Sequence, residues 1–327
     1  MRTGAAHNPS SVAVLSRSFS RNPILRAELL ARGSNVVFND VGRSLAGREL
    51  IAFVAPHEAA IVGLEPIDEA ALAALPNLRI LSKYGVGLDN IDLDAAARLG
   101  VKVSWQGGVN GRAVSELAVS LIIAALRGVA YCHEEIKRGV WRQYAGGQLS
   151  DATVGLVGFG HVGQDLARLL AAFGARIVAC DVRDVSSEAA GLGVRLCGFD
   201  ELIENCDALS FHVPLTPATK GMLDAGRIAR MRPGAVIVNT ARGGLIDEAA
   251  LAVALRQGRI SAACFDVFAV EPPGASELLS APGFLATSHI GGSAVEAQLA
   301  MGRAAIEGLS RARDAQDFIP DWAKLGT

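Results

Sequence analysis

Residues Val157–Gly163 read V-G-F-G-H-V-G and stand between an apolar run and an amphipathic one. Gly158, Gly160 and Gly163 have the spacing that lets a strand turn tightly into a helix. Such a turn leaves the helix's first N–H groups open to a phosphate pair. Glycine is frequent here, 36 of 327 residues, so the spacing alone is a weak sign. Its context supplies the rest. Thr153-Val154-Gly155-Leu156-Val157 is a short β-rich run, and Val162, Leu166, Leu169, Leu170 and Phe173 recur at helical spacing. A second strand, Arg176–Cys180, then runs into Asp181, 18 residues beyond Gly163. A carboxylate there accepts hydrogen bonds from the adenosine ribose hydroxyls and repels a 2′-phosphate. The pattern predicts a dinucleotide site for NAD, while Arg183, two residues on, keeps NADP open.

A chain of 327 residues is long enough for two domains with separate cores. Net charge is −2 and the basic clusters are short, which points away from nucleic acid and from an anionic membrane surface. Cys132, Cys180, Cys197, Cys206 and Cys264 show no C-x-x-C spacing and lie in or beside apolar stretches, so reduced thiols and no metal are expected. Met1–Ser10 lacks the apolar core of a signal peptide. The apolar stretch Leu117–Leu126 is too short for a bilayer and is bounded by Glu116 and Arg127. A soluble, cytoplasmic protein is the expectation.

Short β-rich runs alternate with helical ones through the N-terminal third. Strands are expected at Val12–Ser16, Asn35–Phe38, Ala60–Val62, Ile80–Ser82 and Val101–Val103, with helices near Ile24–Arg32, Glu69–Leu75 and Leu93–Leu99. This βαβ rhythm predicts a mainly parallel sheet. Asn110–Arg127 reads as one long apolar helix. After Asp181, strands are expected at Ala208–His212, Ala235–Asn239, Ala262–Asp266 and Phe284–Thr287, with helices near Glu201–Asn205, Ala225–Met231 and Glu248–Gln257. From about Ala294 the chain reads as helical up to a tail at Pro320, with too few strands to stand alone, so it should return to cover the first domain. The domains expected are therefore 1–106 plus 294–327, and 107–293.

Three segments of the second half could carry chemistry. Asn239-Thr240-Ala241-Arg242-Gly243-Gly244, Phe265–Pro272 and Thr287-Ser288-His289-Ile290-Gly291-Gly292 each follow a strand. Each puts an ionisable residue (Arg242, Glu271, His289) just past a strand's carboxyl end, where open parallel sheets form their ligand sites. A guanidinium can hold a carboxylate and polarise the adjacent ketone, because its planar donors match two oxygens. An imidazole can deliver a proton to the developing alkoxide, and a neighbouring carboxylate can orient the ring and favour its charged form. Taken singly each residue has an ordinary explanation: a surface arginine, a solvated glutamate before prolines, a capping histidine. Their recurrence behind successive strands of a nucleotide-binding half argues against coincidence.

On these residues the sequence resembles the D-isomer-specific 2-hydroxyacid dehydrogenases, the family that includes 3-phosphoglycerate dehydrogenase. The likeness also rests on Lys83-Tyr84-Gly85-Val86-Gly87-Leu88-Asp89-Asn90-Ile91-Asp92 and on His212-Val213-Pro214-Leu215-Thr216. It implies an α/β fold of two doubly wound parallel-sheet domains with a cleft between them. One is a flavodoxin-like substrate domain, discontinuous in sequence, and the other a Rossmann NAD domain. It further implies that Arg242 binds and polarises substrate, that His289 is the acid/base and that Glu271 is its partner. Val86 and Gly87 would offer N–H groups to the substrate carboxylate, with Lys83, Tyr84, Gly85 and Arg112 beside them. NAD would contact Gly158, Gly160, His161, Val162, Gly163, Asp181, His212, Val213, Pro214, Thr219, Thr240, Ala241, Arg242, His289 and Gly291, and Asp266 would hold the nicotinamide carboxamide. The helix after Asn110 would belong to a homodimer interface.

The departures matter too. Ser288 stands where proline commonly precedes the catalytic histidine. Lys83 stands where the phosphoglycerate enzymes often place arginine, and Arg112 where small or apolar residues are usual. Two extra cations would suit a substrate with a second anionic group, such as phosphate or phosphonate; the alternative is that Arg112 is solvated and Lys83 pairs with an acid. The chain ends where phosphoglycerate dehydrogenases with regulatory domains continue, so feedback by serine is not expected.

The function expected is NAD-dependent interconversion of a D-2-hydroxy acid and its 2-oxo acid. A formate enzyme is a poor match, because those relatives carry glutamine where Glu271 stands. An NADH-sensing, corepressor-like binding protein of the same fold stays open. Loops around Ser16–Arg21, His57 and Trp141 are candidates for lining the substrate site.

Overall fold

The computed structural model describes residues 9–319; most of the polar start, and the tail from Pro320, lie outside the described residues. The chain divides into two compact units. One comprises residues up to Asn110 together with those from Val295 on, and the other is Gly111–Ala294.

In the first unit the strands are β1 (Ser11–Val14), β2 (Asn35–Phe38), β3 (Ala59–Val62), β4 (Ile80–Lys83) and β5 (Lys102–Ser104), all parallel, in the order β5-β4-β3-β1-β2. A two-residue strand, Arg313–Asp314, pairs antiparallel with the outer edge of β5. This is the flavodoxin-type order. The central strands are apolar throughout because helices cover both faces. Thus Val12, Val14, Ala59 and Ile61 face one core, and Ala13, Leu15, Ala60 and Val62 the other. Asp68 and Asp92 cap the helices Glu69–Ala73 and Leu93–Arg98, accepting from Ala71 and Ala95 N–H at 2.8 Å. Helix Val295–Gly308 belongs to this unit. Its Gly302 lies so close to Leu25 that a Cβ would collide, and Ser82 Oγ donates to Ala305 O at 2.6 Å.

Two loops depart from expectation. Ser16–Ser20 is not a polar strip: Arg17–Arg21 forms a helical turn capped by Ser16, and Ser16, Phe19 and Ser20 are buried, leaving Arg17 and Ser18 exposed. His57 is likewise buried inside the unit, where loss of solvent pushes its imidazole below the usual range.

The second unit holds β6 (Thr153–Val157), β7 (Arg176–Cys180), β8 (Arg195–Leu196), β9 (Ala208–Phe211), β10 (Ala235–Asn239), β11 (Ile260–Phe265) and β12 (Phe284–Ala286). All are parallel, in the order β12-β11-β10-β9-β6-β7-β8. Strand order reverses at β6, between β7 and β9, which makes the carboxyl ends of β6 and β9 a topological switch point. Helix Gly111–Leu126 packs with helix His161–Ala172 on one face around Ala118, Ile122, Leu166 and Leu170. The other face is covered around Leu202, Ile228, Leu251 and Phe265. Helix Val129–Lys137 buries none of its residues. The cysteines are free thiols, and no cluster of metal-ligating side chains occurs among the described residues. Among the described residues no single helix is long and apolar enough to cross a membrane.

Candidate active site

The glycine turn closes on the switch point itself. Gly158 has φ 95°, and a Cβ there would stand 2.5 Å from His212 O and 2.7 Å from Val213 Cγ1. A Cβ on Gly163 would collide with Gly158 O, so strand and helix meet backbone to backbone. Gly160 differs: the nearest atom to its Cβ position is Arg183 Nη2 at 3.8 Å, which leaves space over the turn. Helix His161–Ala172 starts there with no side-chain cap, so the N–H groups of its first turn point at that space. His161 is exposed at the first helical position, and Val162 O accepts from Ser115 Oγ at 3.3 Å. A pyrophosphate fits these donors. Asp181 follows β7, where Phe159 N–H donates to its Oδ2 at 2.8 Å.

His212 N–H donates to Val157 O at 2.7 Å and its Nε2 meets Ser210 Oγ at 2.9 Å. Burial pushes its imidazole down to about 4, so it is neutral near pH 7. Thr219 Oγ1 donates to Pro214 O at 2.7 Å and accepts from Thr216 N–H at 2.8 Å; the hydroxyl expected to meet cofactor instead closes the Pro214–Thr219 turn.

Past β10, Asn239 shapes the turn that carries Arg242. Its Nδ2 donates to Arg242 O at 2.8 Å and its Oδ1 accepts from Ala241 N–H at 3.1 Å. Arg242 Nη1 donates to Ala241 O at 2.7 Å. Thr240 Oγ1 is buried without a hydrogen-bond partner, as a ligand-facing hydroxyl would be. Gly243 lies against the backbone of Phe268 and Ala269 closely enough to exclude any Cβ. That contact places the Arg242 turn on the loop that carries Glu271.

His289 and Glu271 form the centre. His289 Nδ1 and Glu271 Oε2 are 2.7 Å apart, and Glu271 Oε1 accepts from Phe268 N–H at 3.0 Å. His289 has φ 54°, the one non-glycine residue with positive φ among the described residues. Backbone strain of this kind persists where neighbours enforce it. Here the enforcing group is Asp266, a residue that is 1% exposed. Its Oδ1 accepts from Thr287 Oγ1 at 2.5 Å and Ile290 N–H at 2.8 Å, and its Oδ2 from Gly291 N–H at 2.8 Å.

Several expectations change as a result. Asp266, expected on the carboxamide, has three of a carboxylate's roughly four acceptor sites committed to the His289 loop. Gly291 donates its N–H to Asp266 rather than presenting it to cofactor. Arg112 is 56% exposed, as the solvated alternative expects, and its Nη2 also pairs with Asp165 Oδ1 at 2.8 Å on the neighbouring helix. In the first unit Lys83 is buried, and its Nζ donates to Gly63 O and, at 2.6 Å, to Asn90 Oδ1, so its partners include a carbonyl and an amide. Tyr84 packs edge-on against Phe19 with ring centres 5.6 Å apart, inside the core. Gly85 has φ 134° and sits over the Lys83 stem, and Val86 O accepts from Trp105 Nε1 at 2.8 Å, which steadies the Gly85–Gly87 turn.

Reading by sequence missed Asn239, Gly243 and Thr287 as organisers of this site. Their one visible signal is adjacency to Arg242 and His289.

Known proteins are similar to this chain in sequence and fold. The family model described as D-isomer specific 2-hydroxyacid dehydrogenase, NAD binding domain, matches residues 119–291. The chain is 40% identical over 276 residues to D-3-phosphoglycerate dehydrogenase of Mycobacterium leprae (strain TN), covering 84% of this chain and 52% of that protein. It is 41% identical over 236 residues to hydroxypyruvate reductase of Thermotoga maritima, covering 71% and 76%. Among solved structures, a glyoxylate reductase from Paecilomyes thermophila has a TM-score of 0.81 at 26% identity, covering 91% of this chain and 93% of that one. The chain spans about half the length of the phosphoglycerate dehydrogenases it matches. A Rossmann-ordered unit with an open glycine turn, and a match that runs from its first helix to the His289 loop, lead to one conclusion: the chain belongs to the D-isomer specific 2-hydroxyacid dehydrogenase family, and Gly111–Ala294 contains its NAD-binding domain.

Proposed function

We propose that the chain interconverts a D-2-hydroxy acid and the corresponding 2-oxo acid with NAD(H). The observation that carries this reading is the 2.7 Å pairing of His289 Nδ1 with Glu271 Oε2, held at the carboxyl edge of the sheet that bears the glycine turn. Bound NADH supplies the hydride to the carbonyl carbon. With Nδ1 engaged by Glu271, His289 Nε2 is the nitrogen that gives a proton to the carbonyl oxygen and recovers it in the oxidative direction. Glu271 orients the ring through its contact with Nδ1. Arg242 holds the substrate carboxylate and polarises the carbonyl.

The substrate class proposed is a small 2-oxo acid without a second anionic group. Of the two cations that suggested one, Lys83 is buried and held by Gly63 and Asn90; Arg112 pairs with Asp165 at the surface, 56% exposed. A homodimer is part of the proposal. Val129, Ile136, Val140 and Trp141 lie exposed on helix Val129–Lys137 and the loop after it, with Trp141 82% exposed, and such apolar surface favours a partner. Light scattering tests it, and a monomer at micromolar concentration rejects it.

The test of activity is NADH oxidation with glyoxylate, hydroxypyruvate, pyruvate and longer 2-oxo acids, with and without a terminal phosphate, for the wild type and His289→Ala. Turnover on an unphosphorylated acid that falls by roughly a hundredfold or more in the variant supports the reading. Tight NADH binding with no turnover on any acid overturns it in favour of a sensor. Preference for phosphorylated acids overturns the substrate class.

A further inference from the structure

Asp181 is saturated. Its Oδ1 accepts from Arg183 N–H at 2.9 Å and Arg183 Nε at 3.1 Å, and its Oδ2 accepts from Arg183 Nη2 at 3.0 Å and Phe159 N–H at 2.8 Å. A carboxylate offers about four acceptor sites. For the ribose hydroxyls of NAD to donate here, the Arg183 side chain has to withdraw. A 2′-phosphate has the opposite requirement: it brings acceptor oxygens and negative charge and needs a cation.

Arg183 can meet both demands. Its side chain is 61% exposed while that of Asp181 is 8% exposed, so on leaving Asp181 the guanidinium regains water, and the carboxylate needs the ribose hydroxyls as replacement donors. Its Nη2 lies 3.8 Å from the Cβ position of Gly160, over the glycine turn and not out in solvent. The planar fork of a guanidinium matches two phosphate oxygens as well as it matches a carboxylate.

We propose that Arg183 makes this a dual-specificity ribose site. Swung aside, it leaves Asp181 to the 2′- and 3′-hydroxyls of NAD(H). Turned toward the pocket, it binds the 2′-phosphate of NADP(H) and offsets the charge of Asp181, so the chain uses both dinucleotides. With Arg183 in place, burial pushes the Asp181 carboxyl up, but the Arg183 and Phe159 hydrogen bonds outweigh that and hold it below the usual range. The inference rests on the dinucleotide role of the same turn and names its cofactor range.

Fluorescence titration of the wild type, Arg183→Ala and Asp181→Asn with NADH and with NADPH tests it, followed by turnover with each. Wild-type Kd values for the two should lie within about tenfold of one another, and Arg183→Ala should raise the NADPH-to-NADH Kd ratio about tenfold or more. Asp181→Asn, which removes the repelling charge, should lower the ratio below that of the wild type. A ratio indifferent to Arg183→Ala overturns the proposal, as does a wild type that binds NADPH more than about a hundredfold weaker than NADH. Failure of the wild type to bind NADH would overturn the functional reading as well, which separates the two. Arg183 is exposed and outside the core, so matching thermal unfolding of Arg183→Ala and wild type ties any change in the ratio to the pocket.

Discussion

The backbone N–H of His289 donates to the carbonyl oxygen of Asp266 at 2.9 Å, while the Asp266 carboxylate accepts from the residues on either side of that histidine. One buried acid thus holds a five-residue loop by both its main chain and its side chain. A histidine at φ 54° is kept in place because releasing it would strand that carboxylate without partners.

Asp266→Asn should show how much depends on this. The amide keeps the size but turns one acceptor into a donor facing backbone N–H groups. Stability should fall by about 1–3 kcal/mol. Hydrogen exchange at Ile290 and Gly291 should accelerate, and turnover should drop with it. Wild-type exchange at both amides would contradict the assignment.

Glu271→Gln retains a group of the same shape, and its carbonyl can still accept from Phe268 N–H. The negative charge opposite His289 Nδ1 is lost. The expected outcome is a fall of about tenfold or more in kcat for 2-oxo acid reduction. Unchanged kcat would remove Glu271 from proton transfer.

Gly243→Ala places a methyl group against Phe268 and Ala269, where the backbone leaves no room. Overpacking of this kind costs about 1–3 kcal/mol. Because the Arg242 turn has to shift to admit the methyl, KM for the oxo acid should rise more than the Kd for NADH. Equal changes in the two would indicate a general loss of structure.

The pH dependence of stability should carry the mark of His212. Burial lowers its folded-state pKa from 6.5 to about 4, so between those values the unfolded chain binds a proton that the folded chain refuses. The stabilisation is complete above pH 6.5 and declines as pH falls toward 4. His212→Asn should flatten the loss of stability over that window relative to wild type, by about 3 kcal/mol at most, read as a smaller drop in Tm. Parallel Tm-versus-pH curves would show that the imidazole is not the group responsible.

Much of the architecture was legible from pattern. Val12–Val14, Ala59–Val62 and Ala235–Asn239 are apolar throughout because both faces of a parallel sheet are covered, and such runs announce themselves. Helix Val129–Lys137 was not read from the sequence: it is nine residues long and buries none of them, so its apolar positions belong to no core. Arg17–Arg21 is too short, at five residues, to show one. At the site, Arg242, Glu271 and His289 stood out as ionisable groups past strand ends. Gly243 and Asp266 did not disclose their work, since they meet other loops, and Asn239 did not because its partners are backbone atoms of its own turn.

What the amino-acid order determined by itself was the alternation of strand and helix, the glycine turn with Asp181, and the ionisable residues that follow the strand ends. These follow from local steric and periodic rules that act over a few residues. Only the tertiary structure decided where the polar groups direct their hydrogen bonds. It turned Lys83 to Gly63 and Asn90, Arg112 to Asp165, Arg183 to Asp181 and Asp266 to the His289 loop. The physical reason is that a buried donor or acceptor must find a partner, and the partner is chosen by proximity in space, which distance along the chain does not specify.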